Sequence, residues 1–419
     1  MNSVVRRLRP LLAAVVVAAA LVGCSDSDGD NADRAMPATT TTASDATTST
    51  AAAGADGDPD GKPTGVVPDP TWAVESPEDH GMDPAALEEA KSYAFADGRH
   101  TQGVVVVRGG AIVAEWYAPD ANQDSWAASW SMSKSVVSAL VGIAIDEGKI
   151  RGVDEPMTTW YPDWADRGLG DVTLRDVLEM SSGLQWNESY SPSDLESSDV
   201  IQMVVRESDQ LAYAASRPRA VPPGTVFNYT SGGSMLLSGV LEQATGMSAG
   251  EYAQQKLWGP IGATKVDMWT DAAGHTLTYC CVDTTSRDFA RFGLLYLDRG
   301  RWGDEQVVPA DWVAASVEPS RAAPDQYGLQ WWLRDEEGVP ADMFSARGHD
   351  GQYIYVIPSL DLVVVRNGTY AKFDGPPVAD PTLFAKYPSG GLVPGQGTIA
   401  PDSWDDGAFL GPIVRSIRD

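Results

Sequence analysis

Trp130-Ser131-Met132-Ser133-Lys134-Ser135-Val136-Val137-Ser138-Ala139-Leu140-Val141-Gly142-Ile143-Ala144-Ile145-Asp146-Glu147-Gly148-Lys149 decides how this chain is read. A serine is followed three residues later by a lysine, at the mouth of a segment apolar around most of its circumference. Such a segment reads as a helix buried in a core, with Gly148 as its stop. Positions i and i+3 share a helix face, so the Ser131 hydroxyl and the Lys134 amine meet in a dry setting. Burial penalises the charged form of lysine, and a neutral lysine can take a serine's proton. The helix N-terminus adds N–H groups and a positive dipole end that favour an oxyanion. None of the seven other lysines has a serine three residues before it.

The chain has 419 residues, 43% of them hydrophobic, with 14 tryptophans, enough for a large core in one or two domains. Residues 1–24 carry Arg6, Arg7 and Arg9, an apolar run from Leu11 to Val22, and then Gly23-Cys24. This is the charged, apolar and small-residue order of a signal peptide, too short for a membrane span. Leu21-Val22-Gly23-Cys24 resembles the lipobox of bacterial lipoproteins, with Cys24 as the lipidated first residue of an extracytoplasmic, membrane-anchored protein. Residues 25–70 are rich in Thr, Ala, Asp, Gly and Pro, a composition expected to form a disordered tether.

The formal charge is −28, and loss of the three arginines in residues 1–23 takes it to −31. An acidic surface of this size argues against nucleic-acid binding. With four histidines and three cysteines, and no clustered His/Cys spacing, a metal enzyme is not expected, and no cofactor is implied. Cys280 and Cys281 are neighbours, read first as two small buried residues, with a vicinal disulfide as the alternative.

Asp83-Pro84 opens a helix through about Ala96, and residues 103–117 form two strands joined at Gly109-Gly110. Residues 131–299 are mostly helical. Strands return at Tyr327–Leu333, Gln352–Ile357 and Leu362–Arg366, followed by a closing helix near Phe409–Ile417. The expected fold is α/β (α+β): an antiparallel sheet flanked by helices, from about 72–130 and 300–419, interrupted by a helical insertion. The whole domain spans 71–419, with the catalytic helix at the seam where a cleft forms.

Two further motifs supply chemistry. Asn228-Tyr229-Thr230-Ser231-Gly232-Gly233 places a tyrosine on a polar turn before the helix Met235–Thr245. Beside a lysine cation its phenolate is expected to be stabilised and to pass a proton between Ser131 and a leaving group. Gly348-His349-Asp350-Gly351-Gln352 enters a strand. Gly351 is read as letting a substrate approach the backbone, and the N–H of Gln352 as the second oxyanion donor beside that of Ser131. Gly246-Met247-Ser248-Ala249-Gly250 matches a nucleophile elbow in letters only. It follows a helix instead of a strand, and Ser248 with Glu251 reads as a capping box opening a helix through about Leu257.

Ser131-x-x-Lys134, Tyr229-x-Ser231 and His349-Asp350-Gly351, in that order, resemble the three motifs of the serine β-lactamase and penicillin-binding-protein superfamily. The match is best with the branch holding class C β-lactamases, D-alanyl-D-alanine carboxypeptidases, family VIII esterases and 6-aminohexanoate-dimer hydrolase, over about residues 75–417. The resemblance implies a β-lactamase/transpeptidase-like fold, a Ser131 acyl-enzyme, Lys134 as base and Tyr229 in proton transfer. Where β-lactamases and carboxypeptidases have Tyr-x-Asn this chain has Ser231, and where they have Lys-Thr-Gly it has His349-Asp350-Gly351. Both departures favour an esterase or a hydrolase of small linear amides over a β-lactamase or D-alanyl-D-alanine carboxypeptidase. A non-catalytic receptor of penicillin-binding type is the alternative from another class. Met180 to Tyr190 resembles the loop that lines the cleft in the 6-aminohexanoate-dimer hydrolase subgroup, which makes Trp186 and Tyr190, with His349, Gly351 and Ser231, the substrate-binding candidates.

Overall fold

The computed structural model describes residues 66–68, 70–190, 196–369 and 404–418. The expected signal segment with Cys24, and the tether up to residue 65, lie outside the described residues.

Helix α1 (Pro84–Ala94) starts as its sequence suggests, with the Asp83 carboxylate accepting from the N–H of Ala85 and proline in the first turn. Strands β1 (Thr101–Arg108) and β2 (Ala111–Tyr117) form a hairpin whose Gly109 and Gly110 both have positive φ, 60° and 75°. After the short strand β3 (Trp126–Ala128) come helices α2 (Ser133–Asp146), α3 (Leu174–Leu178), α4 (Asp199–Arg206), α5 (Gln210–Ala215), α6 (Ser231–Thr245) and α7 (Ala249–Ala253). Ser248 caps α7 in a capping box with Glu251, so the serine of the Gly-x-Ser-x-Gly letters serves as a helix cap. Strands β4 (Asp267–Met268) and β5 (Val282–Thr285) join β3 in a small sheet, and helix α8 (Ser286–Leu297) follows. The hairpin β6 (Arg301–Trp302) and β7 (Glu305–Gln306) precedes helix α9 (Ala310–Ser316). The chain returns to the main sheet with β8 (Phe344–Gly348), β9 (Gln352–Ile357) and β10 (Leu362–Gly368), and α10 (Asp406–Ser416) packs against α1.

The main sheet is antiparallel with order β2-β1-β10-β9-β8, so strands from both ends of the chain meet at its centre. The Val104–Val107 run shows why. Val104 and Val106 join the layer of Leu87, Phe409 and Leu410, while Val105 and Val107 face the larger core of Val136, Leu140 and Phe289. A strand covered on both faces is apolar throughout, since successive side chains point to opposite sides.

One expected strand does not form. Tyr327–Leu333 is no strand; it holds only the isolated bridges Tyr327–Trp332 and Trp332–Ser345. Gln330 sits at φ 67° and its amide donates 2.7 Å to the carbonyl of Leu178, so the chain doubles back where an extended run was expected. Phe344–Gly348, just before the His349 turn, supplies the edge strand instead.

Helix α2 is the inner pillar. Two of its three buried serines are satisfied by carbonyls of the 327–332 turn: Ser135 Oγ donates 2.6 Å to Gln330 O and Ser138 Oγ 2.8 Å to Leu329 O. At Gly142 a Cβ would lie 2.2 Å from the Trp312 ring, so glycine lets α9 lie directly on the helix.

Candidate active site

Ser131 lies in a short 3-10 turn (Trp130–Met132) that runs into α2. The turn is clamped on both flanks. Ser129 exchanges hydrogen bonds with Val282 of β5: its N–H donates to Val282 O at 2.8 Å, and its Oγ accepts from Val282 N at 2.9 Å. Trp130 has φ 43°, a conformation side-chain-bearing residues rarely adopt, and its indole N–H donates 2.9 Å to the Asp350 carboxylate. On the other side Gly348 ends β8 hard against this turn, where a Cβ would lie 2.1 Å from the Ser129 carbonyl oxygen.

Lys134 is 1% exposed, and its Nζ has three oxygen neighbours: Ser131 Oγ at 3.0 Å, Ser231 Oγ at 3.2 Å and the Tyr279 carbonyl at 2.9 Å. Burial pulls its pKa down to about 8, against the opposing pull of the Glu188 carboxylate. Roughly a tenth of the lysine is therefore neutral at pH 7. The neighbours also orient that neutral amine. The Tyr279 carbonyl can only accept. Ser231 donates its own proton to Glu188 Oε1 at 2.5 Å, which leaves its oxygen to accept from Lys134. With both N–H groups committed, the lone pair points at Ser131.

Glu188, in the Met180–Tyr190 loop, is a further member of the site that no sequence motif marks. Its Oε2 accepts from the N–H of Ser231 at 2.9 Å and from the Trp186 indole; its Oε1 accepts from Ser231 Oγ and, at 2.8 Å, from Tyr190. Thr230 caps α6, its Oγ1 accepting from Gly233 N at 3.0 Å, so the carboxylate sits where the positive end of that helix dipole favours it.

Tyr229 hydrogen-bonds Ser131, stacks on Trp332 at 5.5 Å between ring centroids, and holds its ring 4.9 Å from Lys134 Nζ. The phenolate expectation is corrected here. Burial outweighs every opposing influence and drives the phenol well above its ordinary pKa, so the resting site holds a neutral hydroxyl that can donate.

The remaining candidates separate. Tyr190 and His349 face one another at 5.2 Å between ring centroids, and His349 Nε2 lies 3.7 Å from Asp350 Oδ1. Trp186 is buried under α6, where a Cβ on Gly232 would meet its ring at 2.3 Å, and it reaches the site through Glu188. Gly351 has φ 71°, and a Cβ there would lie 2.1 Å from the Arg366 guanidinium, so the fold itself calls for glycine at this position. Arg366, fully buried on β10, donates to the carbonyls of Asp350 and Gly351 at 2.9 and 2.7 Å and thereby fixes the His349–Gly351 turn. Burial lowers its pKa to about 10, still far above neutrality. Gln352 stands opposite Gly348 in the β8–β9 ladder, and its buried side chain accepts from Asn367 and from the N–H of Gly368. Cys280 and Cys281, read first as separate thiols, are joined by a disulfide. Among the described residues no group of three His, Cys, Asp or Glu side chains is arranged to hold a metal ion, and no helix is long and apolar enough to cross a membrane.

A family model described as beta-lactamase matches residues 78–383. The 6-aminohexanoate-dimer hydrolase of Paenarthrobacter ureafaciens is 27% identical over 293 residues, 64% of this chain and 72% of that protein. Among solved structures, a family VIII carboxylesterase superposes with a TM-score of 0.55 at 16% identity, over 70% of this chain and 94% of the other. A D-stereospecific amidohydrolase from a Streptomyces species does so with a TM-score of 0.53 at 19% identity, over 68% and 94%.

Proposed function

The chain belongs to the beta-lactamase family of hydrolases, and from that premise we propose that it cleaves an ester or a small linear amide through an acyl-enzyme on Ser131. One observation carries the proposal: Lys134 is buried, with its Nζ 3.0 Å from Ser131 Oγ and held there by the Tyr279 carbonyl and Ser231 Oγ.

In this reading Lys134 takes the Ser131 proton as Oγ attacks the substrate carbonyl. The backbone N–H groups of Ser131 and Gln352 are assigned to the oxyanion. Tyr229, a neutral phenol hydrogen-bonded to Ser131, is assigned to deliver a proton to the leaving oxygen or nitrogen, with Lys134 returning one to it. Water then attacks the acyl group by the reverse route. Ester or linear amide is favoured over β-lactam because Ser231 is held by Glu188 and Lys134 and offers no side-chain amide to a substrate. The His349-Asp350-Gly351 turn carries no lysine to clamp a β-lactam or peptide carboxylate, and the Arg366 guanidinium beneath it is fully buried, with donors engaged by the carbonyls of Asp350 and Gly351. The 6-aminohexanoate-dimer hydrolase, carboxylesterase and amidohydrolase relatives support the same substrate range. Tyr190 and His349 form the wall we assign to the acyl portion. Anchoring outside the cytoplasm through Cys24 belongs to the same proposal, supported by the order of residues 1–24.

The test is labelling by a fluorophosphonate probe and turnover of short-chain nitrophenyl esters and linear amides, for the wild type and Ser131→Ala. A probe adduct mapped to Ser131, with turnover lost in the variant, is the expected result. Turnover that survives in Ser131→Ala, or a wild type that neither labels nor turns over, overturns the proposal. Trapping by a β-lactam with no ester turnover would favour a cell-wall peptidase or receptor.

A further inference from the structure

Tyr279-Cys280-Cys281-Val282 carries chain from a buried loop into β5, and its two cysteines are bonded to each other. Cys281 has φ 76°, in the left-handed region that side-chain-bearing residues rarely adopt. The bond between adjacent cysteines closes a small ring around this backbone. Its neighbours are both parts of the active site. On one side, the Tyr279 carbonyl accepts a hydrogen bond from Lys134 Nζ at 2.9 Å. On the other, Val282 clamps Ser129, two residues before the nucleophile. The Cys281 carbonyl itself accepts from Trp269 N at 3.1 Å. Thr278, just upstream, accepts from Ser133 Oγ at 3.3 Å.

We propose that the Cys280–Cys281 disulfide is a positioning device for Lys134 and a redox switch on the enzyme's activity. The inference rests on the reading of Lys134 as base. A dithiol reductant supplies two electrons and two protons, the S–S bond becomes two thiols, and the reductant leaves as its own disulfide. With the ring open, Cys281 is free to leave the left-handed region, and the Tyr279 carbonyl turns away from Lys134. The amine then loses one of the two acceptors that aim its lone pair. A carbonyl acceptor also favours the ammonium, so its loss shifts the lysine further toward the neutral form. The switch therefore has a double signature: a lower rate at every pH above the acid limb, and an acid limb displaced to lower pH.

The experiment compares oxidised enzyme, enzyme treated with dithiothreitol, and Cys280→Ser/Cys281→Ser, with thiols counted by maleimide mass shift and kcat/KM measured against pH. We expect no maleimide adduct before reduction and two after it. A fall in kcat/KM of roughly tenfold to a hundredfold should accompany reduction, as misplacing a catalytic group does. Reoxidation should restore the rate, and the double variant should match the reduced enzyme while ignoring reductant. Free thiols in the oxidised preparation, no thiols released from the folded enzyme, or two thiols with an unchanged rate and limb would each overturn the switch. The reduction arm stands even if the double variant does not fold. Failure of the underlying reading is separate: it would appear as activity and an acid limb that persist in Lys134→Met, whatever the thiol count.

Discussion

Replacing Glu188 with glutamine removes the charge beside Lys134 with almost no change of volume. All four groups on the carboxylate are donors: Ser231 Oγ, Ser231 N, the Tyr190 hydroxyl and the Trp186 indole. Whichever way a glutamine amide turns, its NH2 faces two of them, and Ser231 is no longer reserved to accept from Lys134. The 3.2 Å and 2.5 Å links through Ser231 Oγ put the ammonium within about 6 Å of the carboxylate. Coulomb's law over that distance gives ~3 kcal/mol at an effective dielectric of about 20 and ~0.7 kcal/mol in bulk water. This spans roughly half a unit to two units of pKa. The sign follows from the carboxylate favouring the ammonium: without it the lysine falls below its value of about 8. In Glu188→Gln the acid limb of kcat/KM is therefore expected about one unit lower, and the alkaline plateau tenfold or more down. The loss is largest above pH 8 and shrinks toward pH 6. A pH–rate profile by pH-stat on a short-chain ester measures both. An equal loss at all pH, or a limb that moves upward, refutes the assignment of Glu188 as the group that positions and charges Lys134.

Lys134→Met should abolish turnover while altering stability in a pH-dependent way. Because the folded-state pKa of about 8 lies below the ordinary 10.5, the unfolded chain binds more protons between those values. Wild-type stability therefore rises with pH across that window, and the burial penalty is present in full below about pH 8. Urea unfolding should show the variant's stability relative to wild type falling by about 3 kcal/mol from pH 7 to pH 10.5, and a pH-independent difference would contradict the burial argument. Gly348→Ala tests the clamp on the nucleophile turn: φ is −129°, ordinary for alanine, but the new Cβ would lie 2.1 Å from Ser129 O. We expect a stability loss of about 1–3 kcal/mol and a kcat at least tenfold lower; unchanged kcat would show that the hairpin does not position Ser131.

The part of the site legible in the sequence is the part made by local geometry. Ser131 and Lys134 are one helical turn apart, so spacing alone brings them together, and Tyr229 followed from motif order and its place before a helix. Glu188 was not legible because its role comes from Ser231, which reaches it only when the 180–190 loop folds over the start of α6. Arg366 closes the apolar run of β10, and nothing local says that it turns inward to hold Asp350 and Gly351. The same limit explains the strands. Tyr327 to Leu333 is rich in aromatic and apolar residues, yet the left-handed Gln330 reverses it, while Phe344-Ser345-Ala346-Arg347-Gly348 alternates apolar and polar residues over only four positions before a glycine and becomes a strand by pairing with β9. That a side chain at Gly351 would strike Arg366 is likewise visible only once the two strands are paired.

The sheet order has a consequence for how the molecule comes into being. Val104 to Val107 of β1 pair with Val363 to Arg366 of β10, so β1 lacks one neighbour until the chain has been made as far as residue 366. Contacts of such sequence separation are slow to form, because loop closure precedes any gain from pairing. Until then a row of four valines is an open edge of high β-propensity, a template for joining another chain. A nascent or truncated chain lacking β10 is thus an aggregation-prone species, and the interval before β10 docks is when it needs a chaperone most.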